Sequence, residues 1–109
     1  MYRWLGVLTT GVLLGVLTTS PSFAASQTGG ISYYWQGTKT ASGERFDKHA
    51  MTCAHPRLPF GTMVTVRGVT CRVNDRGPYI RGRILDVSLG VARKIGMIGA
   101  GVIHATVHW

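Results

Sequence analysis

The chain has 109 residues, enough for one domain, and sets 12 lysines and arginines against only four acidic residues, a formal net charge of +8. So basic a surface favours a polyanionic partner. The sequence has no glycine-rich phosphate cradle and no His/Cys/Asp grouping at metal-ligand spacing, which argues against nucleotide-binding and metalloenzyme classes; no metal and no cofactor are expected.

In chain order, the first segment is a targeting signal. Arg3 precedes an apolar run, Leu5–Leu17, and Ser22 and Ala24 occupy the −3 and −1 positions of a small-residue cleavage site. The run is too short to cross a bilayer core, which needs about 20 residues. Residues 1–24 are therefore expected to be a signal peptide cleaved after Ala24. No cysteine lies near that point to carry a lipid. The expectation is a soluble exported protein, periplasmic or extracellular, with no stable membrane insertion after cleavage. Export turns the polyanion from nucleic acid to an anionic envelope polymer. Nine of the eleven basic residues left after cleavage lie between Lys39 and Arg83, so the charge is clustered.

Residues 25–30, "ASQTGG", read as a flexible leader, and residues 31–109 as the folded domain. "ISYYWQG" is rich in β-branched and aromatic residues and reads as a strand. Alternation sends Tyr34 to one face and Tyr33 and Trp35 to the other, so one set lines a groove and the other packs inward. The next 25 residues, 38–62, have no period and read as a long functional loop. "MVTVRGVTCRV" predicts two strands joined by a tight hairpin at Arg67-Gly68. "NDRGPYIRG" is a turn and "RILDV" a further strand. Ser88 is placed to cap a short helix, with Lys94 in its last turn and Gly96 as its left-handed stop. "GAGVIHATVHW" closes the chain as a final strand. Short strands, frequent glycine turns and one helix predict a small, mainly β barrel. Cys53 and Cys71 are the only cysteines, and in an exported domain they are expected to pair as a disulfide.

The chemistry rests on scarce acids: Glu44 and Asp47 in the long loop, Asp75 in the turn, and Asp86 inside an apolar run. Carboxyl groups flanking a groove are the minimum equipment for breaking a glycosidic bond. Asp75 alone sits among four arginines, Arg72, Arg76, Arg81 and Arg83, which favour a charged carboxylate where a general acid needs a proton. From the residues alone, Asp75 is equally well read as the cap of its own turn.

"TASGERFD", "MTCAHPRLPFGT", "RVNDRGPYIRGRILDVS" and "ARKIGMIGAGV" resemble, in order and spacing, the motifs of the rare lipoprotein A (RlpA) family. The resemblance spans roughly residues 30–107 and implies a six-stranded double-psi β-barrel with one or two short helices. It implies kinship with expansins and with endolytic peptidoglycan transglycosylases, and so peptidoglycan strands as the partner. By the same resemblance Asp47, His55 and Asp75 are the catalytic candidates. Thr40, Ser42 and Glu44 order the loop and, with Tyr34 and Arg76, are candidate contacts to the glycan. The hairpin is shorter than usual in the family, and Cys53 and Cys71 stand where Ala and Val are common. A lytic transglycosylase cleaves the β-1,4 bond after N-acetylmuramic acid without water, closing a 1,6-anhydro ring. One carboxyl serves as acid and then base; Asp75 is expected in that role, with Asp47 and His55 positioning the sugar or stabilising charge. A non-catalytic expansin-like module and an inverting hydrolase are the alternatives. Asp86 is expected to support the barrel, His104 and His108 to be solvated, and the domain to be a monomer.

Overall fold

The structure is a computed structural model that describes residues 22–109. Most of the expected signal peptide, residues 1–21, lies outside the described residues. Six strands and one helix follow in order: β1 (Ser26–Tyr34), β2 (Thr52–Ala54), β3 (Met63–Val66), β4 (Val69–Asp75), β5 (Arg83–Ser88), α1 (Leu89–Ile95) and β6 (Val102–His108). They close into a barrel in the order β1-β5-β2-β4-β3-β6. The pairs β1–β5 and β2–β4 are parallel and the rest antiparallel. This is the double-psi β-barrel that the motifs imply. No helix of the described residues is long and apolar enough to cross a membrane.

Period-two alternation fills the interior. Ile31, Val64, Val66, Val73, Leu85, Val87 and Val107 are all fully buried. Cys53 of β2 and Cys71 of β4 join there as a disulfide, with Cα atoms 5.8 Å apart and both side chains fully buried. The hairpin forms where expected, with Arg67 at φ 48° and Gly68 at φ 78°, the left-handed pair that a two-residue turn requires. Helix α1 also begins and ends as read: Ser88 Oγ accepts from the Val91 amide at 3.2 Å, and Gly96 is left-handed at φ 74°.

Two expectations are corrected. Residues 25–30 are not a flexible leader: Ser26–Gly30 pair with His104–His108 of β6, and Ala25 exchanges both backbone hydrogen bonds with Trp109. Gly29 is there for close approach, since a Cβ on it would lie 2.7 Å from Ile84 Cγ2. The long loop is likewise not strand-free. It contains β2, a fully buried three-residue strand lying between β5 and β4. Three residues are too few to show a period, so only barrel closure reveals it.

Candidate active site

An irregularity in strand pairing builds the site. Cys53 pairs with Val73, but Ala54 pairs with Asp75, so Asn74 is an extra residue on β4. A bulge of this kind re-aims the next side chain. Without it Asp75 would share the inward parity of Cys71 and Val73. With it, Asp75 shares the outward face of Ala54. Ala54 in turn pairs with Asp86 of β5, and Asp86 with Ser32 of β1. Four neighbouring strands thus carry Ser32, Asp86, Ala54 and Asp75 in one row, and the two acids flank a methyl group. Their Cα atoms are two strand spacings apart, about 10 Å.

The two carboxyls are held differently. Asp75 Oδ1 accepts from the backbone amides of Ala41 (2.8 Å) and Arg76 (2.9 Å). These two donors fix its orientation and, among the described residues, leave Oδ2 without a hydrogen bond. Asp86 Oδ1 accepts from Ser32 Oγ. Burial pushes the Asp86 carboxyl above its ordinary pKa, and the charge of Asp75 adds to that shift; the Ser32 hydroxyl and Arg83 oppose it. Tyr34 stands by both acids. Burial, then the charges of Asp75 and Asp86, raise its phenol well above the usual value, so it keeps its proton. Its Oη is buried with no well-formed hydrogen bond. Thr52 Oγ1 is near enough to weigh on the phenol but is itself unpartnered.

The loop ahead of β2 is clamped over this row. Thr40 Oγ1 bonds Ser42 Oγ (2.9 Å) and donates to the Glu44 carbonyl (3.2 Å), while the Ser42 amide donates to the Asn74 carbonyl. Arg72 forks onto the Glu44 carboxylate, Nη2 reaching Oε2 at 2.9 Å, and Asn74 adds a third donor. The hydrogen bonds from Arg72 and then Asn74 hold Glu44 down at a pKa of about 2. Thr40, Ser42 and Glu44 therefore order the loop, as expected, and deliver the Ala41 amide to Asp75.

The three catalytic candidates read from the motifs are each held by different partners. Among the described residues, no side-chain hydrogen bond joins Asp47, His55 and Asp75. Asp47 is exposed, and its Oδ1 accepts from the His49 amide at 2.9 Å, an Asx turn. His55 is 6% exposed. Its Nδ1 accepts from the amides of Arg57 (3.0 Å) and Leu58 (3.1 Å), which leaves the proton on Nε2, donated to Gln27 Oε1 at 3.0 Å. Burial, then Arg57 and Arg76, lower its pKa and keep it neutral. Its ring lies in a cleft of about 380 Å³ with Gln27, Arg57, Arg83 and Trp109. What links His55 to Asp75 is backbone: its amide donates to the Asp75 carbonyl at 3.2 Å. Arg76 completes the brace, with Nη1 donating to the carbonyls of His55 (3.3 Å) and Leu58 (2.9 Å) and its guanidinium 3.9 Å above the Phe60 ring. Two of the arginines crowding Asp75 in the sequence are thus engaged elsewhere, Arg72 on Glu44 and Arg76 on carbonyls.

A family model described as "Lytic transglycolase" matches residues 26–107. The chain belongs to this family.

It is 57% identical over 72 residues to a probable endolytic peptidoglycan transglycosylase RlpA of Nostoc sp., a match covering 61% of this chain and 19% of that protein. It is 40% identical over 106 residues to the endolytic peptidoglycan transglycosylase RlpA of Pasteurella multocida, covering 89% of this chain and 36% of that one. The match thus spans about a fifth to two fifths of these relatives. Among solved structures, Streptomyces papain inhibitor shares the fold, with a TM-score of 0.60 and 22% identity over 82% of this chain and 97% of that one. Within the lytic transglycolase domain, Asp86, expected to support the barrel, shares the outer face with Asp75, a placement that the sequence reading did not anticipate. A signal was present for Asp86: in "ILDVS" it alternates out of phase with the core residues Leu85 and Val87, so it faces away from the interior.

Proposed function

We propose that this domain is exported to the bacterial envelope and cleaves peptidoglycan strands as a lytic transglycosylase. It would cut the β-1,4 bond between N-acetylmuramic acid and N-acetylglucosamine and leave 1,6-anhydromuramyl ends. The observation that carries the reading is the pair Asp75 and Asp86 flanking Ala54 on the barrel's outer face. Family membership and the names of the relatives support it independently.

In this reading Asp86 is the acid and then the base. Burial raises its pKa and so favours the protonated carboxyl, the state needed to protonate the leaving oxygen. The same group, now a carboxylate, takes the proton of the muramyl 6-hydroxyl as that oxygen closes on the anomeric carbon. Asp75, oriented by two amides, turns Oδ2 to the positive charge that develops on the sugar ring. Tyr34, half-buried beside both acids, offers its ring to the sugar. His55 and Arg76 act as positioning residues through the segment that carries Asp75, and Asp47 shapes the loop.

Mass spectrometry of fragments released from purified glycan strands tests the proposal. Anhydromuramyl ends support it. Reducing muramic ends would instead make the acid pair that of an inverting hydrolase, which also uses two separated carboxyls. Binding without new ends would leave an expansin-like module.

A further inference from the structure

Beyond the row of acids, a separate groove of about 580 Å³ is lined by Trp35, Arg45, Phe46, Asp47, Lys48 and His49. Trp35 is 51% exposed, and Arg45, Lys48 and His49 are exposed around it. The cations have no internal purpose. Among the described residues the one ion pair is Arg72–Glu44, so neither Arg45 nor Lys48 is paired with a carboxylate. Asp47, the acid in the groove, spends one oxygen on the His49 amide. The floor is held in place: the Asx turn at Asp47 sets Lys48 and His49, the Lys48 carbonyl accepts from the Gly90 amide of α1 at 2.8 Å, and Lys39 and Arg45 form a β-bridge. Phe46 separates this groove from the acids, because its ring stacks on Tyr34 with centroids 4.9 Å apart. Phe46 and Tyr34 together link the groove to the acids, and a chain bound along the acids can continue into it.

We infer that this groove is a second subsite, which takes the next carboxylate-bearing sugar of the strand, one N-acetylglucosamine beyond the muramyl residue being cleaved. The exposed Trp35 indole offers an apolar face on which a sugar ring stacks, and Arg45 and Lys48 pair with its acid group, whether on the sugar itself or on an attached peptide. The inference rests on the proposed glycan substrate, and its test is made without turnover so that the two can fail separately.

The full chain carrying Asp75→Asn and Asp86→Asn is titrated with soluble peptidoglycan strands, and binding is read by tryptophan fluorescence and by co-sedimentation with whole wall. Adding Arg45→Ala and Lys48→Ala is expected to weaken binding about fivefold at low salt and to flatten its salt dependence. Arg45→Lys with Lys48→Arg is expected to retain affinity, which separates charge from folding. Strands with amidated carboxyls are expected to bind the parent as weakly as native strands bind the alanine variant. Unchanged affinity in the alanine variant, or equal binding of amidated strands, would overturn the subsite. Displacement by a phosphate polymer at lower concentration than by the glycan would overturn the carboxylate assignment. A domain that binds in this pattern yet makes no anhydromuramyl ends keeps the subsite and loses the proposed reaction.

Discussion

Asp75 and Asp86 face the same side of the barrel wall with only the methyl group of Ala54 between them, although they lie on strands that are not neighbours. Asp75 bears on Asp86: after burial, its charge helps raise the pKa of Asp86, and both charges raise that of Tyr34.

This coupling fixes the sign of a pH effect. If Asp86 must hold a proton, activity falls as pH rises through its pKa. Asp75→Asn removes a charge that raises that pKa, so the alkaline limb of any residual activity moves to lower pH. Carbon NMR titration of the Asp86 carboxyl in the same variant is expected to show the same downward move. Asp86→Asn is expected to lose at least about a hundredfold in rate, in line with loss of a general acid, with the melting temperature little changed. An unmoved Asp86 titration in Asp75→Asn would dissociate the pair.

His55 makes a different prediction, because its side chain braces the segment behind Asp75. His55→Asn keeps an acceptor near the Nδ1 position for the Arg57 and Leu58 amides, whereas His55→Ala orphans both. The alanine variant is expected to be the less stable, by about 1–3 kcal/mol, and the less active, with the asparagine variant between it and the parent. Burial lowers the folded-state pKa of His55 below 6.5, so the unfolded chain takes up the proton first. The parent therefore loses stability as pH falls below about 6.5 toward the folded pKa, and both variants lack that component. Denaturant midpoints measured from pH 7.5 to 5 check this. Equal activities and parallel pH curves for all three proteins would remove His55 from the brace.

The disulfide closes a loop between residues 53 and 71, a sequence separation of 18, which the chain-entropy estimate makes worth about 3 kcal/mol. In a domain this small that loss is expected to lower the melting temperature by more than about 10 °C. Cys53→Ala with Cys71→Ala is the cleanest comparison, since both sulfurs are fully buried and a reductant acts slowly on the native state. Titration of the native protein with a thiol reagent is expected to find no free thiol, and two would refute the pairing.

Much of this protein can be read along the chain. The Arg67-Gly68 turn, the Ser88 cap, the Gly96 stop, the alternation of β4 and β5 and the pairing of two lone cysteines are local or compositional signals, and each is found in the fold. The motif order gave the barrel and the family. The loop role of Thr40, Ser42 and Glu44 was also readable, since those bonds span only a few residues. What stayed hidden depends on register between distant segments. Gly29 and Gly30 looked like slack until Ile84 and Gly82 were seen packed against them. The bond from the His55 ring to Gln27, 28 residues away, had no local signal. The placement of Asp75 on the same face as Asp86, with Ala54 between them, had no local signal either. Sequence determines the period of a strand and the chemistry of a turn because both are set by neighbouring residues. Which acids share a face was decided by closure of the barrel and one extra residue in β4, since a shift of a single position in pairing sends a side chain to the opposite side of the wall.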